Sequence, residues 1–140
     1  MLKLRAVFPP LARTPEEWTE VALGAGGRAF HGKQVFRWAT EKMPEVAQAV
    51  MAKAGVTPAD IDLFVPHQAN LRINQFVCAK LGIPEEKTVA NIEKYGNTTA
   101  ATIPLGLSEA WREGRCARGS TILMAAFGSG YTWAAAIVTL

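Results

Sequence analysis

The feature that most constrains the fold of this chain is a short apolar run followed at once by an amphipathic one. Residues 61–65 (IDLFV) are short and mostly apolar, which is typical of a buried strand. Residues 71–81 have the spacing of an amphipathic helix, and Gly82 and Pro84 then end it. A strand that leads directly into a helix is a building unit of layered sheets, so the sequence predicts an α/β fold.

His67 lies where this predicted strand passes into the predicted helix. Ligand sites of open α/β sheets gather at such places, so the position favours a functional role. The start of the helix carries partial positive charge, which disfavours protonation and leaves a neutral imidazole able to donate one hydrogen bond. Taken alone, His67 fits a structural histidine at the end of a strand at least as well.

Asn97 is a second candidate donor. It follows Gly96 in a predicted turn and precedes a helical start rich in threonine and alanine. A pair of neutral donors at junctions into helices is what an oxyanion site needs. The spacing between His67 and Asn97 does not by itself show that the two side chains meet.

The rest of the pattern completes an α/β domain. A short helix is predicted near residues 15–23, and residues 33–54 form a long helical pattern that Pro44 should kink or divide. A short strand is predicted near residues 89–91. Residues 120–127 and 131–139 are apolar strands joined by a glycine-rich turn, which predicts an antiparallel hairpin. Their continuous apolarity predicts a sheet that is covered on both faces.

Composition and charge narrow the class of protein. The 140 residues suffice for one domain, and contents of 49% hydrophobic and 19% charged residues are typical of a globular chain. No apolar run approaches the ~20 residues of a membrane span, and we expect no signal peptide. A net charge of +3 favours acidic partners mildly, but no basic stripe predicts nucleic acid binding. The two cysteines have no metal-site or disulfide spacing, which predicts a reduced, cytoplasmic setting and no metal.

Three motifs carry a resemblance to a known family. VPHQANLRI, YGNTTAATIPLGLSEA and AAFGSGYTWAAAIV resemble, in this order and spacing, the C-terminal half of β-ketoacyl-acyl carrier protein synthase III. Residues 28–140 are therefore interpreted as that C-terminal domain, and residues 1–27 as a segment without a match. The resemblance implies a thiolase-like half-repeat: a mixed sheet covered by helices, a helix from the Asn97 loop to Trp111, and a C-terminal β-hairpin.

The resemblance also implies a reaction and its site residues. The family condenses an acyl primer from acyl-coenzyme A with malonyl-acyl carrier protein, without a cofactor, and starts fatty acid synthesis. His67 and Asn97 match the two donors to the malonyl thioester oxygen. The positions that match the pantetheine tunnel and its chamber are Phe36, Ala69, Asn70, Phe127 and Ser129; Ser129 stands where many relatives have glycine. The basic positions that match the docking surface for the acidic carrier protein are Arg37, Arg72 and Lys80.

The nucleophile of the family does not match any residue of this chain. In the family it is a cysteine in the N-terminal half. Cys78 lies on the predicted helix after His67, where a small buried hydrophobe is expected, and Cys116 lies in a polar loop, where an incidental surface thiol is expected. Three interpretations stay open: a piece of a synthase III, which is expected to be a homodimer when complete; a half that assembles with a cysteine-bearing partner; and a non-catalytic carrier-binding or scaffold module. Another thiolase-like acyltransferase is the alternative for the substrate.

Overall fold

The computed structural model describes residues 3–7, 32–128 and 131–140. In chain order the elements are strand β1 (Lys3–Val7), helix α1 (Gly32–Ala54), strand β2 (Leu63–Pro66), helix α2 (Leu71–Leu81), the short helix α3 (Ile92–Tyr95), helix α4 (Thr102–Arg112), strand β3 (Thr121–Gly128) and strand β4 (Thr132–Thr139). Short 3₁₀ turns lie in the connections, at Pro58–Asp60, Glu85–Lys87 and Thr99–Ala101. The predicted strand-to-helix unit is present as β2 and α2.

The strands form one mixed sheet in the order β1–β4–β3–β2. Strand β2 runs parallel to β3, while β4 is antiparallel to both β3 and β1. The predicted hairpin is confirmed as β3 and β4, and β1 comes from the segment 1–27 that no motif matched. Because β2 and β3 are parallel, their carboxyl ends lie at the same edge of the sheet, where the hairpin also turns.

Helices α1 and α2 cover one face of the sheet. Their buried side chains pack with alternate residues of the hairpin, such as Leu123 and Ala125, in the larger of two apolar clusters. Pro44 is buried within α1, and the helix continues through it. The alternative in which Pro44 divides this segment is therefore wrong, because burial of residues on both sides of it, such as Met43 and Ala47, holds one helix against the sheet.

Helix α4 covers part of the other face. It approaches closely at Gly106, where an added Cβ would lie 2.9 Å from Val89 Cγ1 and 3.3 Å from Val65 Cγ1. The hairpin residues that alternate onto this face remain partly exposed in the middle of the strands: Met124, Ala126, Ala134 and Ala136. The predicted cover on both faces is thus observed beside β2 and is incomplete over the hairpin.

Residues 89–91 do not form the predicted strand. In the described part of the chain this region contributes only an isolated parallel bridge between Phe64 and Thr88, beside which Val89 N–H donates to Phe64 O at 2.8 Å. The next backbone groups bond to a side chain: Val89 O accepts from Gln68 Nε2 at 2.9 Å, and Asn91 N–H donates to Gln68 Oε1 at 3.2 Å. One glutamine thus takes the place of a strand partner, and α3 begins directly afterwards.

The predicted helix near residues 15–23 lies outside the described residues. Among the helices that the structure describes, none combines the length and the apolar character that a membrane span requires.

Candidate active site

His67 follows β2 directly, at the carboxyl edge of the sheet. Its backbone N–H donates to Ala125 O at 2.8 Å, so the pairing of β2 with β3 continues one residue beyond the strand. The side chain is half-buried, and burial lowers the pKa of the imidazole from its usual value. The imidazole is therefore neutral near pH 7, as the sequence predicts, although the cause that the structure shows is burial rather than the field of helix α2.

Gln68 braces the turn that carries His67. It is fully buried, its Nε2 donates to Pro66 O at 3.0 Å and to Val89 O at 2.9 Å, and its Oε1 accepts from the Asn91 N–H at 3.2 Å. All of its polar groups are thus satisfied within the fold. The bond to Pro66 closes the turn on itself, and the other two join the turn to the segment that leads into α3.

Asn97 lies in the exposed loop between α3 and α4. Its Oδ1 accepts a hydrogen bond from the backbone N–H of Thr99 at 2.9 Å, which orients the amide and keeps Nδ2, a donor, for another group. Thr99 has a φ of 53°, in the left-handed region, which is uncommon for a β-branched residue. Backbone strain of this kind persists where the surroundings enforce it, and it is concentrated at functional sites.

One chain of hydrogen bonds connects Asn97 to His67. The first bond is the one from Thr99 N–H to Asn97 Oδ1, and the Thr102 hydroxyl lies 2.8 Å from Thr99 O. The same hydroxyl lies 2.6 Å from His67 Nδ1. Thr102 is only 2% exposed, so its hydroxyl is sheltered from water. The structure thus brings the two candidate donors to one edge of the sheet, linked through two intervening residues.

Glu109 on α4 holds the Asn97 loop at its start. Its Oε1 accepts from Lys94 Nζ at 2.8 Å and from the Tyr95 hydroxyl, and its Oε2 accepts from Asn91 Nδ2 at 2.7 Å. These bonds, that from Lys94 first, lower the pKa of Glu109 to about 2, and the same pair raises the pKa of Lys94. A single carboxylate therefore ties α3 to α4.

The residues predicted to dock the carrier protein lie at two places. The Arg72 guanidinium lies 5.9 Å from the centre of the Phe36 ring, which joins α2 to α1 at a partly exposed contact. Arg37, next to Phe36 along α1, is exposed and pairs with Glu41 at 3.3 Å between Nε and Oε1. Lys80 is exposed as well, but it lies about 12 Å farther along α2 than Arg72, as the rise of a helix requires.

Ala69 and Asn70, predicted to line the pantetheine tunnel, are both exposed beside His67. Asn70 caps helix α2, since its Oδ1 accepts from the Arg72 N–H at 3.0 Å. The cap fixes the direction in which α2 leaves the turn.

Phe127 lies near the end of β3 and is buried. Its ring lies 5.2 Å from that of Tyr131 and 6.3 Å from that of Trp133, so the hairpin end carries an aromatic cluster. Ser129 lies outside the described residues. The position of Phe127 at the carboxyl end of β3 places it at the sheet edge that also carries His67.

Both cysteines are buried. The Cys78 thiol donates to Gln75 O at 3.2 Å, and burial raises the pKa of this thiol, so it is the small buried hydrophobe that the sequence predicts. The expectation of a surface thiol at Cys116 is wrong, because the chain folds back there and packs its sulfur in the cluster with Leu63 and Ile122. Burial raises the pKa of Cys116 too. A raised pKa is the opposite of what an activated thiolate nucleophile requires.

Four residues that shape the site have no role that is predicted from the sequence: Gln68, Thr99, Thr102 and Glu109. The role of Gln68 could have been suspected from the sequence, because a glutamine between a strand and a helix needs hydrogen-bond partners if it is buried. The other three act through contacts with residues that spacing alone does not bring together. Among the described residues, no group of three or more side chains of the types that bind metals is assembled.

The mixed α/β sheet with its covering helices and C-terminal hairpin has the fold of the C-terminal half of thiolase-like condensing enzymes. The sequence profile described as "3-Oxoacyl-[acyl-carrier-protein (ACP)] synthase III C terminal" matches residues 51–140. The chain belongs to the β-ketoacyl-acyl carrier protein synthase III family.

Individual relatives agree with this assignment. The chain is 50% identical over 107 residues to the β-ketoacyl-[acyl-carrier-protein] synthase III of Aquifex aeolicus, with 76% of this chain and 35% of the relative covered. The crystal structure of the synthase III from Aquifex aeolicus VF5 superposes with a TM-score of 0.83 and 41% identity, over 98% of this chain and 43% of that one. The crystal structure of the enzyme from Thermus thermophilus superposes with a TM-score of 0.85 and 37% identity. The match covers 97% of this chain and 45% of that one. The chain thus spans about a third of the length of the curated relatives it matches.

Proposed function

We propose that this chain is the C-terminal catalytic part of a condensing enzyme that joins an acyl primer from acyl-coenzyme A to malonyl-acyl carrier protein. The observation that carries the proposal is the hydrogen-bond chain from Asn97 to His67. It holds two neutral side chains, each with a nitrogen to spare, at the edge where the site of an α/β sheet is expected. Membership of the family supports the same reaction class.

The step assigned to these donors is the decarboxylation of the malonyl thioester. Loss of carbon dioxide leaves an electron pair on the adjacent carbon, and negative charge develops on the thioester oxygen. A hydrogen bond from His67 Nε2 and another from Asn97 Nδ2 stabilise that charge in the transition state. One donor placed at an oxyanion in this way typically contributes about 10²–10³ in rate. Neutral donors suit the task, since they stabilise the oxygen without transferring a proton to it.

The acylation step requires a partner that bears the nucleophilic cysteine. Both cysteines of this chain are buried with raised pKa values, so neither is suited to accept the acyl group. The partly exposed hairpin face of Met124, Ala126, Ala134 and Ala136 is apolar surface of the kind that a further layer covers. We therefore infer assembly with the cysteine-bearing half, followed by pairing of complete enzymes as a homodimer in the cytoplasm.

The proposed entrance for the phosphopantetheine arm is the contact between α1 and α2. Phe36 supplies an apolar wall there, and Arg72 and Arg37 supply positive charge for an acidic carrier protein. Lys80 extends that charge towards the far end of α2. Ala69, Asn70 and Phe127 line the path from this entrance to His67.

The test of the catalytic assignment uses the enzyme assembled from this chain and a cysteine-bearing N-terminal half. Replacement of His67 or Asn97 by alanine should each slow decarboxylation of malonyl-acyl carrier protein by about 10²–10³, because each removes one oxyanion donor. The double variant should lose less than the product of the two single losses, since the donors act as a unit. Transfer of the primer to the partner cysteine, followed by intact mass, should persist.

Gln48→Ala, on the exposed side of α1, is the control for handling and assembly. Decarboxylation at the control rate in the His67 or Asn97 variant would contradict the assignment. Carrier-protein binding without any decarboxylation by the assembled wild type would favour the scaffold alternative.

The docking assignment has a separate test. In the assembled enzyme, Arg72→Glu should lower kcat/KM for malonyl-acyl carrier protein, and the loss should shrink as salt screens the charge. A small malonyl thioester, which needs no docking surface, should be used as well as by the wild type. Arg112→Glu, an exposed reversal at the end of α4, is the matched control. An equal loss with the small thioester would show that Arg72 acts in the chemistry instead.

A further inference from the structure

The Thr102 hydroxyl lies within hydrogen-bonding distance of two polar groups. It lies 2.6 Å from His67 Nδ1 and 2.8 Å from Thr99 O. The residue sits at the start of α4 with 2% of its surface exposed, so its hydroxyl has little access to water beyond these two contacts. No other described residue forms a hydrogen bond with His67 Nδ1.

The chemistry of the three groups fixes the direction of the two bonds. A carbonyl oxygen only accepts, and a hydroxyl has one hydrogen to give. If both contacts are hydrogen bonds, the hydroxyl hydrogen must point to Thr99 O. His67 Nδ1 must then be the donor to Thr102 Oγ1. A ring nitrogen that donates carries the hydrogen, so the other nitrogen of a neutral imidazole, Nε2, keeps its lone pair.

We propose that Thr102 is a positioning residue that sets the tautomer of His67, holding the hydrogen on Nδ1 and the lone pair on Nε2 in the resting chain. Its hydroxyl relays the bond onward to Thr99 O, the carbonyl of the strained residue that also orients Asn97. One buried side chain therefore determines which hydrogen-bonding group His67 presents at the sheet edge.

This inference rests on the proposed function for its consequence. To donate to the thioester oxygen, His67 needs its hydrogen on Nε2, which is the opposite of the resting state. The change requires a proton from solvent to bind Nε2 and the proton on Nδ1 to be released to solvent, so the ring begins and ends neutral, while the Thr102 hydroxyl turns from Thr99 O to Nδ1. Thr99 O stays paired, because it also accepts the Thr102 backbone N–H. The switch between acceptor and donor thus gives up a single hydrogen bond.

The experiment is a long-range ¹H–¹⁵N correlation spectrum of the imidazole nitrogens at a pH where His67 is neutral. The chain is labelled with ¹⁵N in its histidine side chains. It can be measured alone or assembled with the cysteine-bearing half, because the three residues of the relay all belong to this chain. It contains two histidines, and the His31→Asn variant assigns the signals. The expected result for His67 is a pyrrole-type nitrogen at Nδ1 and a pyridine-type nitrogen at Nε2.

Two variants separate a tautomer effect from a general structural one. Thr102→Val keeps the shape and removes the hydroxyl, so Nδ1–H loses its acceptor and the two signal types should exchange between the nitrogens. Thr102→Ser keeps the hydroxyl and should retain the wild-type spectrum. A wild-type His67 with its hydrogen on Nε2 would overturn the proposal, whether or not the valine variant folds.

Failure here and failure of the proposed function are distinguishable. A hydrogen on Nε2 in the resting chain would disprove the proposed role of Thr102, but His67 could still act as the oxyanion donor. Absence of decarboxylation in the assembled enzyme would sink the function while leaving the tautomer, which is measured without substrate, unchanged.

Discussion

The two candidate donors are held in contrasting ways. The turn that carries His67 lies between regular elements: its backbone N–H continues the pairing of β2 with β3, and Asn70 caps the helix that follows. The loop that carries Asn97 lies between a four-residue helix and a 3₁₀ turn, and side chains hold it. Glu109 fixes its start, and the backbone N–H of the strained Thr99 orients the Asn97 amide.

This difference indicates how each half of the site should respond to change. A donor held by backbone pairing is displaced only when the sheet edge is disturbed, because many hydrogen bonds must break together. A donor held by individual side chains is displaced when one carboxylate or one hydroxyl is lost. We therefore expect global destabilisation from changes around His67 and local loosening from changes around Asn97.

The largest effect is expected for Gln68→Ala. This change removes three hydrogen bonds and leaves the buried carbonyl groups of Pro66 and Val89 and the partly buried N–H of Asn91 without partners. Each unsatisfied buried group costs about 1–3 kcal/mol, so the two carbonyl groups alone predict a loss of about 2–6 kcal/mol in the free energy of unfolding. Equilibrium unfolding in urea measures it.

Gln48→Ala provides the control, because it removes the same side chain from an exposed position on α1. Surface substitutions usually change the free energy of unfolding by less than about 0.5 kcal/mol. If Gln68→Ala and the control differ by no more than about that amount, Gln68 does not brace the turn.

A smaller effect is expected where the two regions meet, at Gly106. The β-carbon of alanine would lie 2.9 Å from Val89 Cγ1, so α4 or Val89 must shift. Overpacking of this kind typically costs about 1–3 kcal/mol, and the shift should move the start of α4, where Thr102 contacts His67. Urea unfolding gives the cost.

The double variant Gly106→Ala/Val89→Ala sharpens the result. Removing the valine methyl groups relieves the clash, so the two changes together should cost less than the sum of their separate costs. Simple additivity would indicate that the close approach of α4 to Val89 is not what glycine permits at this position.

The contrast between the two regions also explains what the sequence could predict. The strand and helix around His67, the end of α2 at Gly82 and the β3–β4 hairpin follow from local periodicity and turn residues, and all are observed. The strand expected near residues 89–91 fails because Gln68, about twenty residues away along the chain, bonds to its backbone groups. The division of α1 at Pro44 fails because packing against the sheet outweighs the local preference of proline.

The site divides in the same way. The motifs identify His67 and Asn97 as candidates. The hydrogen-bond chain that joins them can be seen only in the folded structure, because Thr102 contacts a residue 35 positions away. Glu109 reaches Lys94 and Tyr95 across a loop, which no local pattern reveals. Cys116 looks exposed among charged neighbours, and only the tertiary packing buries it.

The smallest effect on overall stability, and the most local one, is expected for Glu109→Gln. The amide keeps the shape but loses the charge that Lys94, Tyr95 and Asn91 share. Hydrogen exchange of residues 92–101 should become faster, while the backbone N–H of His67 should remain protected as in the wild type. Equal acceleration at both places would contradict the separate control of the two regions.

The pH dependence follows from the pKa of Glu109, which is about 2 in the folded chain against a usual value of 4.5. The unfolded or loosened loop therefore binds a proton first as the pH falls, so the stabilisation is complete above pH 4.5 and is lost progressively between 4.5 and about 2. Wild-type exchange of residues 92–101, corrected for the intrinsic rate, should accelerate across this window and approach that of Glu109→Gln. The variant has no carboxylate to protonate at this position, so its own corrected rate should change much less. Acceleration of equal size in the variant would assign the pH effect to other carboxylates and would leave Glu109 without the anchoring role.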